Sequence, residues 1–236
     1  MIKPANSTFV KHISNSKSYY YQLRNRLLKA ILPKRFYSDS CLITSAIPHW
    51  QKLAPFDTIK ELATKQVEHI YPDEWKLRVA LWAAEQANDK GDFVECGVHR
   101  GYISSAVLYN LGGMAWNYRF YLLDCWDIGL YDSSWKQVQG VFASWKSHVK
   151  LIRGYLPEAA KEIPKSRLIS YLYLDMNDGQ VELDTLKYLW PQLISGAIII
   201  LDDYAYPGFQ DSMQPWIDSN YNILPLPTGQ GLIVKS

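Results

Sequence analysis

Two adjacent carboxylates, Asp202 and Asp203, follow directly on an apolar run in the stretch AIIILDDYAYPG, residues 197–208. The three consecutive isoleucines of this run are typical of a strand that is buried on both faces. Two like charges at the mouth of such a strand repel each other unless a cation neutralises them. The pair therefore indicates a bound cation, or else an N-terminal cap at Asp203 for the helix that YPGFQDSMQPWI favours.

A third carboxylate, Asp175, ends the preceding apolar run, YLYLDM. The two strands are expected to be neighbours in one sheet, so Asp175, Asp202 and Asp203 would converge on a small volume. Carboxylate oxygens suit Mg²⁺ or a similar divalent ion, which lowers the pKa of a bound hydroxyl. The alternative for Asp175 is an ordinary loop carboxylate. The coincidence of all three favours a metal site, with Asp175 as the candidate catalytic residue.

A glycine pair follows another strand, in the stretch VECGVHRG. Gly97 and Gly101 would let the backbone approach a ligand closely and open the next helix. The spacing from Glu95 is E-x-G-x-x-x-G, whereas the nicotinamide-cofactor fingerprint is G-x-G-x-x-G. The stretch therefore favours a nucleoside without a diphosphate, although a tight turn also uses such glycines without any ligand.

Asp124 ends the strand-like run RFYLLDCW, at the place where a carboxylate holds a ribose diol in Rossmann-like sheets. The alternative is that Asp124 caps the loop that follows it; together with the glycine turn, the ribose role is favoured. Trp126 and Tyr131 are candidates to flank an adenine ring, or they are core residues. His99 and Arg100 are candidates to contact the cofactor carboxylate, and a surface role is the alternative.

The elements that position these residues alternate regularly from residue 91 onward. Strands are expected over 92–98, 119–126, 149–155, 168–176 and 197–204. Helical segments between them predict a parallel sheet with helices on both faces, and helices within 56–90 are expected to cover it. The runs 221–227 and 231–236 are separated by only three residues, which predicts a closing antiparallel hairpin.

Several stretches, taken in order, resemble the macrocin O-methyltransferase (TylF-type) family: GDFVECGVHRG, LLDCWD, RGYLPEAAKEIP, YLYLDMN, WPQLISGAIIILDDY and LPTGQGLIVK. The resemblance covers roughly residues 56–236. It implies an α/β Rossmann-like methyltransferase fold with an antiparallel last strand, S-adenosylmethionine as cofactor, and Mg²⁺-dependent methyl transfer to a hydroxyl, often on a sugar. It matches Glu95, Gly97 and Asp124 to the family's cofactor motifs and Asp175, Asp202 and Asp203 to its metal motif.

The sequence departs from this family on the acceptor side. The stretch LDMNDG has Asn177 and Gly179 where the family has a second Asp and a Tyr. The segment between Asp127 and Val149 is also shorter than the family pattern predicts. The resemblance therefore supports the cofactor and metal motifs better than it supports the acceptor contacts.

The basic charge of the chain lies at its N-terminus. The formal net charge is +2, but residues 1–45 have eight Lys and Arg against one acidic residue, Asp39. Leucines at helical spacing beside arginines predict a basic amphipathic helix here, which packs on the domain or contacts a membrane surface, an anionic polymer or a second copy. We therefore divide the chain into a basic N-terminal extension, 1–55, for a lid or oligomerisation, and a methyltransferase domain, 56–236.

Cysteine spacing and the lengths of the apolar runs indicate the compartment of the protein. Cys41, Cys96 and Cys125 have no paired spacing, and no apolar run approaches a membrane span; with no secretory leader, a cytoplasmic protein is expected. The family resemblance implies a hydroxylated, sugar-containing acceptor as the partner rather than nucleic acid, and a homo-oligomer is an open expectation. The alternatives to an O-methyltransferase are a nicotinamide-dependent oxidoreductase and a catalytically silent binding module.

Overall fold

The computed structural model describes residues 54–67, 74–112, 118–126, 133–220 and 222–236, with the short pieces 36–38 and 41–43 and the positions Leu23 and Leu27. Those two leucines are helical and exposed. The rest of the predicted basic helix lies outside the described residues, as does Tyr131. No helix in the described part of the chain is long and apolar enough to cross a membrane.

The described elements alternate between strands and helices along the chain. A small hairpin, β1 (Phe36–Ser38) and β2 (Cys41–Ile43), precedes the helices α1 (Ala54–Val67) and α2 (Glu74–Ala87). The elements that follow are β3 (Asp92–Cys96), α3 (Tyr102–Asn110), β4 (Phe120–Asp124), α4 (Trp135–Val141), β5 (Val149–Arg153), β6 (Ile169–Leu174), α5 (Gly179–Leu189), β7 (Leu193–Leu201), α6 (Pro207–Asn220), β8 (Leu224–Pro225) and β9 (Gly231–Val234).

The main sheet has seven strands in the order β5-β4-β3-β6-β7-β9-β8. The five strands from β5 to β7 pair in parallel, whereas β9 runs antiparallel to both β7 and β8. The Rossmann-like methyltransferase sheet predicted from the sequence is therefore confirmed. The strand order reverses beside β3, because the chain builds β4 and β5 on one side of it before crossing to β6 on the other.

Both faces of the sheet are buried, because side chains along each strand point alternately to opposite faces. On β3, Phe93 packs in the cluster under α1, α2 and α3, while Val94 and Cys96 pack in the opposite cluster under α5 and α6. The same alternation continues on β6, where Tyr171 and Tyr173 face the first cluster. Burial on both faces explains why these strands read as continuous apolar runs.

All five parallel strands end two or three residues before their predicted bounds, at Cys96, Asp124, Arg153, Leu174 and Leu201. Two further differences concern the start of β7 and the stretch after β5. Strand β7 begins at Leu193, four residues before the expected start, because Ile169 of β6 pairs with Leu193 across an irregularity in register. The stretch after β5 forms a 3₁₀ helix over Glu158–Glu162 rather than an α-helix. Neither difference moves the carboxyl end of a strand, so the predicted site residues keep their places.

A buried ion pair holds the start of β3. Asp92 is only 1% exposed, and its carboxylate accepts hydrogen bonds from the Arg167 guanidinium and, at 2.9 Å, from the backbone N–H of Arg119. The two partners precede β6 and β4, the strands on either side of β3. Asp92 therefore joins the amino ends of three adjacent strands, and a carboxylate buried so deeply requires these donors.

We expect Arg167→Ala to lower the free energy of unfolding by about 1–2 kcal/mol, because it leaves a buried carboxylate with the Arg119 N–H as a remaining donor. Urea denaturation measures the change. The matched control is Arg78→Ala, which removes a partly exposed contact of 3.5 Å to Glu85 and should cost less than about 0.5 kcal/mol. Equal effects of the two substitutions would contradict the role assigned to Asp92.

Candidate active site

The carboxyl ends of β3 and β6 meet at Gly97. This residue has a φ of +86°, and a Cβ placed on it would lie 1.8 Å from the carbonyl oxygen of Asp175. The Asp175 N–H also donates to the Cys96 carbonyl at 2.9 Å. Only glycine permits so close a contact together with a positive φ. Gly97 therefore brings the end of β3 against Asp175, as a shared site requires.

A cavity of about 540 Å³ opens at this edge of the sheet, beside the point where the strand order reverses. Its volume lies within the usual range for a small-molecule site. The residues that line it come from the loops after β3, β4, β5 and β6: Gly97, His99, Asp124, Cys125, Gly154, Tyr155, Leu156, Asp175, Met176, Asn177, Asp178 and Val181. This is the position at which doubly wound sheets bind their ligands.

Asp124 lines this cavity and also anchors two loops. Its Oδ2 accepts the His99 N–H at 2.7 Å, and its Oδ1 accepts the Trp126 N–H at 3.1 Å. Asp124 therefore caps the loop after β4 and also faces the cavity, where its contact with a ribose stays a prediction. Each carboxylate oxygen has a second lone pair for a ligand.

Trp126 lies in the core rather than at the ligand cavity. Its side chain is 1% exposed, its ring lies 5.0 Å from that of Trp135, and its Nε1 donates to the His99 carbonyl at 2.8 Å. The interpretation of Trp126 as a ring that flanks adenine is therefore corrected to the core alternative. Through its hydrogen bond to the His99 carbonyl, Trp126 still supports the loop after β3, which lines the cavity.

Gly101 and its neighbours form the turn into helix α3. Gly101 precedes the helix with a φ of +89°, and a Cβ there would lie 2.6 Å from the ring of Phe142. Gly101 therefore opens the helix as expected. Both its positive φ and its close contact with Phe142 favour glycine at this position. His99 and Arg100 line a second, smaller cavity of about 130 Å³, with Glu95 at the end of β3.

Glu95 is a buried carboxyl group, 2% exposed. Burial raises its pKa to about 8, and the nearby Asp124 and Asp202 act in the same direction. The Ser104 hydroxyl opposes the shift, although neither that hydroxyl nor Glu95 Oε2 makes a hydrogen bond of normal geometry in the described structure. A cationic donor entering the small cavity would satisfy this oxygen, which suits the predicted cofactor role.

The three predicted metal ligands converge as expected from the sheet order. One carboxylate oxygen each from Asp175, Asp202 and Asp203 lies within 4.8 Å of the other two. Burial, and then the charges of Asp202 and Asp203, raise the pKa of Asp175 well above its usual range. Asp202 is 6% exposed, and its Oδ1 accepts hydrogen bonds from the Tyr173 hydroxyl and, at 3.0 Å, from Gln230 Nε2.

The sequence prediction missed Lys76, whose ammonium group lies at this cluster. Its Nζ lies 2.5 Å from Asp202 Oδ2 and 3.4 Å from Asp203 Oδ1. Burial by itself would lower the pKa of Lys76, but the adjacent Asp202 and Asp203 raise it overall. Lys76 belongs to helix α2, 126 positions from Asp202 in the sequence, so no local pattern connects the two.

Asp203 does not have the position of a helix cap. Helix α6 begins at Pro207, and the capping position is the residue directly before the first helical one. Asp178 has that position before α5, where its side chain accepts the N–H groups of Gln180 and Val181 at 3.0 and 3.1 Å. The N-cap alternative for Asp203 is therefore excluded, and its carboxylate belongs to the acidic cluster.

A further buried carboxyl group, Glu182, supports the loop after β6. Its Oε1 accepts the Met176 N–H at 3.0 Å, and it is fully buried on helix α5. Burial raises its pKa to about 8, the Met176 N–H opposes this, and the charges of Asp203 and Asp202 add to it. Glu182 thus holds the backbone next to Asp175.

The part of the chain that contains most of this geometry is similar to a known protein family. A family model described as a methyltransferase domain matches residues 94–204, which run from β3 to just beyond the acidic pair. The matched residues are 111 of the 236 in the chain, and they lie within the methyltransferase domain that the sequence predicts. No curated protein matches the chain at a significant level.

Three solved structures share the fold. The O-methyltransferase NovP is 16% identical, with a TM-score of 0.59 over 77% of this chain and 98% of its own. CalS11, a TDP-rhamnose 3′-O-methyltransferase of calicheamicin biosynthesis, is 18% identical, with a TM-score of 0.55 over 80% and 96%. TomG from Streptomyces achromogenes, an O-methyltransferase of tomaymycin synthesis solved with S-adenosylmethionine, is 12% identical, with a TM-score of 0.54 over 78% and 91%.

We expect the free energy of unfolding to decrease as the pH rises from about 5 to 8. The folded pKa of Glu95 and of Glu182 is about 8, above the usual value of 4.5, so the folded state binds more protons in this window. Each group contributes a slope of at most about 1.4 kcal/mol per pH unit.

The effect is measured by urea denaturation at several pH values in the presence of a chelator. Glu95→Gln should flatten the profile, whereas the exposed Glu162→Gln should leave it unchanged. A Glu95→Gln profile as steep as that of the wild type would show that Glu95 is ionised in the folded protein throughout this range.

Proposed function

We propose that this protein is an S-adenosylmethionine-dependent, Mg²⁺-dependent O-methyltransferase of the macrocin type, acting on a hydroxyl of a saccharide or another polyhydroxylated acceptor. The observation that carries the proposal is the cluster of Asp175, Asp202 and Asp203 at the edge of a ligand-sized cavity in a methyltransferase domain. The likeness to NovP, CalS11 and TomG supports it, because all three proteins are O-methyltransferases.

The cofactor, whose sulfonium supplies the methyl group, would be held by residues of β3 and β4. Asp124 faces the cavity with a lone pair free on each oxygen and is assigned to the ribose diol. Gly97 leaves the backbone open to close approach, and Glu95 offers an unsatisfied carboxyl oxygen to a cationic amine. The turn at Gly101 positions these groups by opening helix α3.

The acidic cluster fits a hard divalent cation by the chemistry of its donors. Asp175, Asp202 and Asp203 offer carboxylate oxygens, the ligands that Mg²⁺ prefers, on three sides of a small volume. A bound divalent ion supplies Lewis acidity that favours ionisation of an acceptor hydroxyl. The protein's own part is to hold these oxygens in place, which Tyr173 and Gln230 do for Asp202.

The acceptor side is where this protein departs from the macrocin family. Gly179 replaces the family's Tyr at the start of α5, and a Cβ there would lie 2.9 Å from the Cα of Phe209 on α6. Asn177 replaces the second Asp and lines the large cavity with a φ of +57°. Close packing of α5 on α6 thus occupies the position of the family's tyrosine, so acceptor contacts must come from other residues.

The two alternative functions make different demands on this site. A nicotinamide-dependent oxidoreductase needs a diphosphate cradle, whereas the turn after β3 has the spacing E-x-G-x-x-x-G. A silent binding module has no need of three converging carboxylates. The roles of a lid or of oligomerisation for residues 1–55, and a cytoplasmic site of action, accompany the proposal as expectations from charge and cysteine usage.

We expect S-adenosylhomocysteine to bind and to raise the melting temperature by mass action. Asp124→Ala should remove most of this shift, because it removes the carboxylate assigned to the ribose. Calorimetry with S-adenosylmethionine, S-adenosylhomocysteine and NAD, with and without Mg²⁺, measures the affinities directly. Binding of NAD but not of S-adenosylhomocysteine at millimolar concentration would replace the proposal with the oxidoreductase alternative.

We expect Asp203→Asn to lower methyl transfer by at least about 100-fold while S-adenosylhomocysteine affinity changes little. The substitution keeps the shape of the side chain but withdraws a negative charge from the cluster. Turnover with panels of sugar-containing acceptors, at several Mg²⁺ concentrations, provides the measurement. The control is Asp184→Asn, at an exposed position of α5. Wild-type turnover of Asp203→Asn without metal dependence would mean that the cluster is structural.

A further inference from the structure

Lys76, on helix α2, lies against the acidic cluster. Its Nζ is 2.5 Å from Asp202 Oδ2 and 3.4 Å from Asp203 Oδ1, so one ammonium bridges the two adjacent carboxylates. The Lys76 side chain is only 20% exposed, and those of Asp202 and Asp203 are 8% and 15% exposed. The ion pair is therefore shielded from water, which makes it stronger than one at the surface.

Both oxygens of Asp202 already accept hydrogen bonds. Oδ1 accepts from Tyr173 and Gln230, and Oδ2 accepts from Lys76. A divalent ion that binds Asp202 through Oδ2 must therefore lie beside the ammonium or displace it. The small cavity lined by Lys76, Asp175 and Asp202 also contains the unpartnered Glu95 Oε2, a separate indication that a polar ligand enters here.

We propose that Lys76 is a tethered counter-cation of the acidic cluster, which a divalent ion must displace or bind beside. Lys76 therefore weakens the affinity of the cluster for Mg²⁺ and similar ions. This inference rests on the proposed function, because it takes the acidic cluster as the metal site of that function.

The physical reason is the charge balance at the cluster. The three carboxylates have a formal charge of −3 when ionised, and Lys76 reduces it to −2 at contact distance. An entering ion must either remain close to the ammonium, which repels it, or break the ion pair. Replacing Lys76 with an uncharged side chain of similar length removes both obstacles, so affinity for the ion should increase.

We expect Lys76→Met to bind Mn²⁺ at least about tenfold more tightly than the wild type in a titration followed by electron paramagnetic resonance. Lys76→Arg keeps the charge and forms stronger pairs with carboxylates, so it should bind Mn²⁺ no more tightly than the wild type. The matched control is Lys60→Met on the neighbouring helix α1, which removes an ion pair to Glu74 at 3.1 Å and should leave Mn²⁺ affinity unchanged.

Each result decides the proposal. Equal or weaker Mn²⁺ binding by Lys76→Met, or no binding by either protein, overturns it. If Lys76→Met does not fold, tighter Mn²⁺ binding by Lys76→Arg overturns it, and weaker binding by Lys76→Arg supports it. S-adenosylhomocysteine binding, measured on the same samples, reports separately on the proposed function. Tighter Mn²⁺ binding without any S-adenosylhomocysteine binding would therefore sustain the role of Lys76 and not the methyltransferase assignment.

Discussion

Negative charge is crowded at the carboxyl edge of this sheet, and its compensation is the constraint on which the rest of the site depends. Asp175, Asp202 and Asp203 have oxygens within 4.8 Å of one another, in a region largely closed to water. Such an arrangement is stable only with a cation or with bound protons. The structure provides Lys76 at contact distance and the donors Tyr173 and Gln230. Burial, and then the charges of Asp202 and Asp203, still raise the pKa of Asp175 above its usual range.

A second constraint is the close approach of backbone segments that forms the cavity. Gly97 lies against the Asp175 carbonyl where no other residue fits, so the loops after β3 and β6 share one wall. Asp124 then fixes the loops after β3 and β4 through two backbone N–H groups, and Glu182 fixes the Met176 backbone. The cavity is therefore bounded by loops that buried carboxyl groups hold in place, and the same groups provide its polar lining.

Much of the site could be predicted because parallel sheets place the carboxyl ends of their strands at one edge. Asp124, Asp175 and the pair Asp202–Asp203 each end an apolar run, and neighbouring strands bring them together. Trp126 could not be assigned in the same way, since an aromatic residue after a strand fits a cofactor pocket and a core equally well. The burial of Trp126 and its ring contact with Trp135 show that it is a core residue.

The sequence by itself determined the alternation of strands and helices, the closing antiparallel pair and the carboxylates at the strand ends, because these follow from local periodicity and short connections. Only the tertiary structure decided which cation meets the carboxylates. Lys76 reaches Asp202 from a helix that packs over the sheet, across 126 positions of sequence. Likewise, the contact between Gly179 and Phe209 depends on how α5 packs against α6. Contacts of this kind depend on packing distances between elements, which no local pattern of residues records.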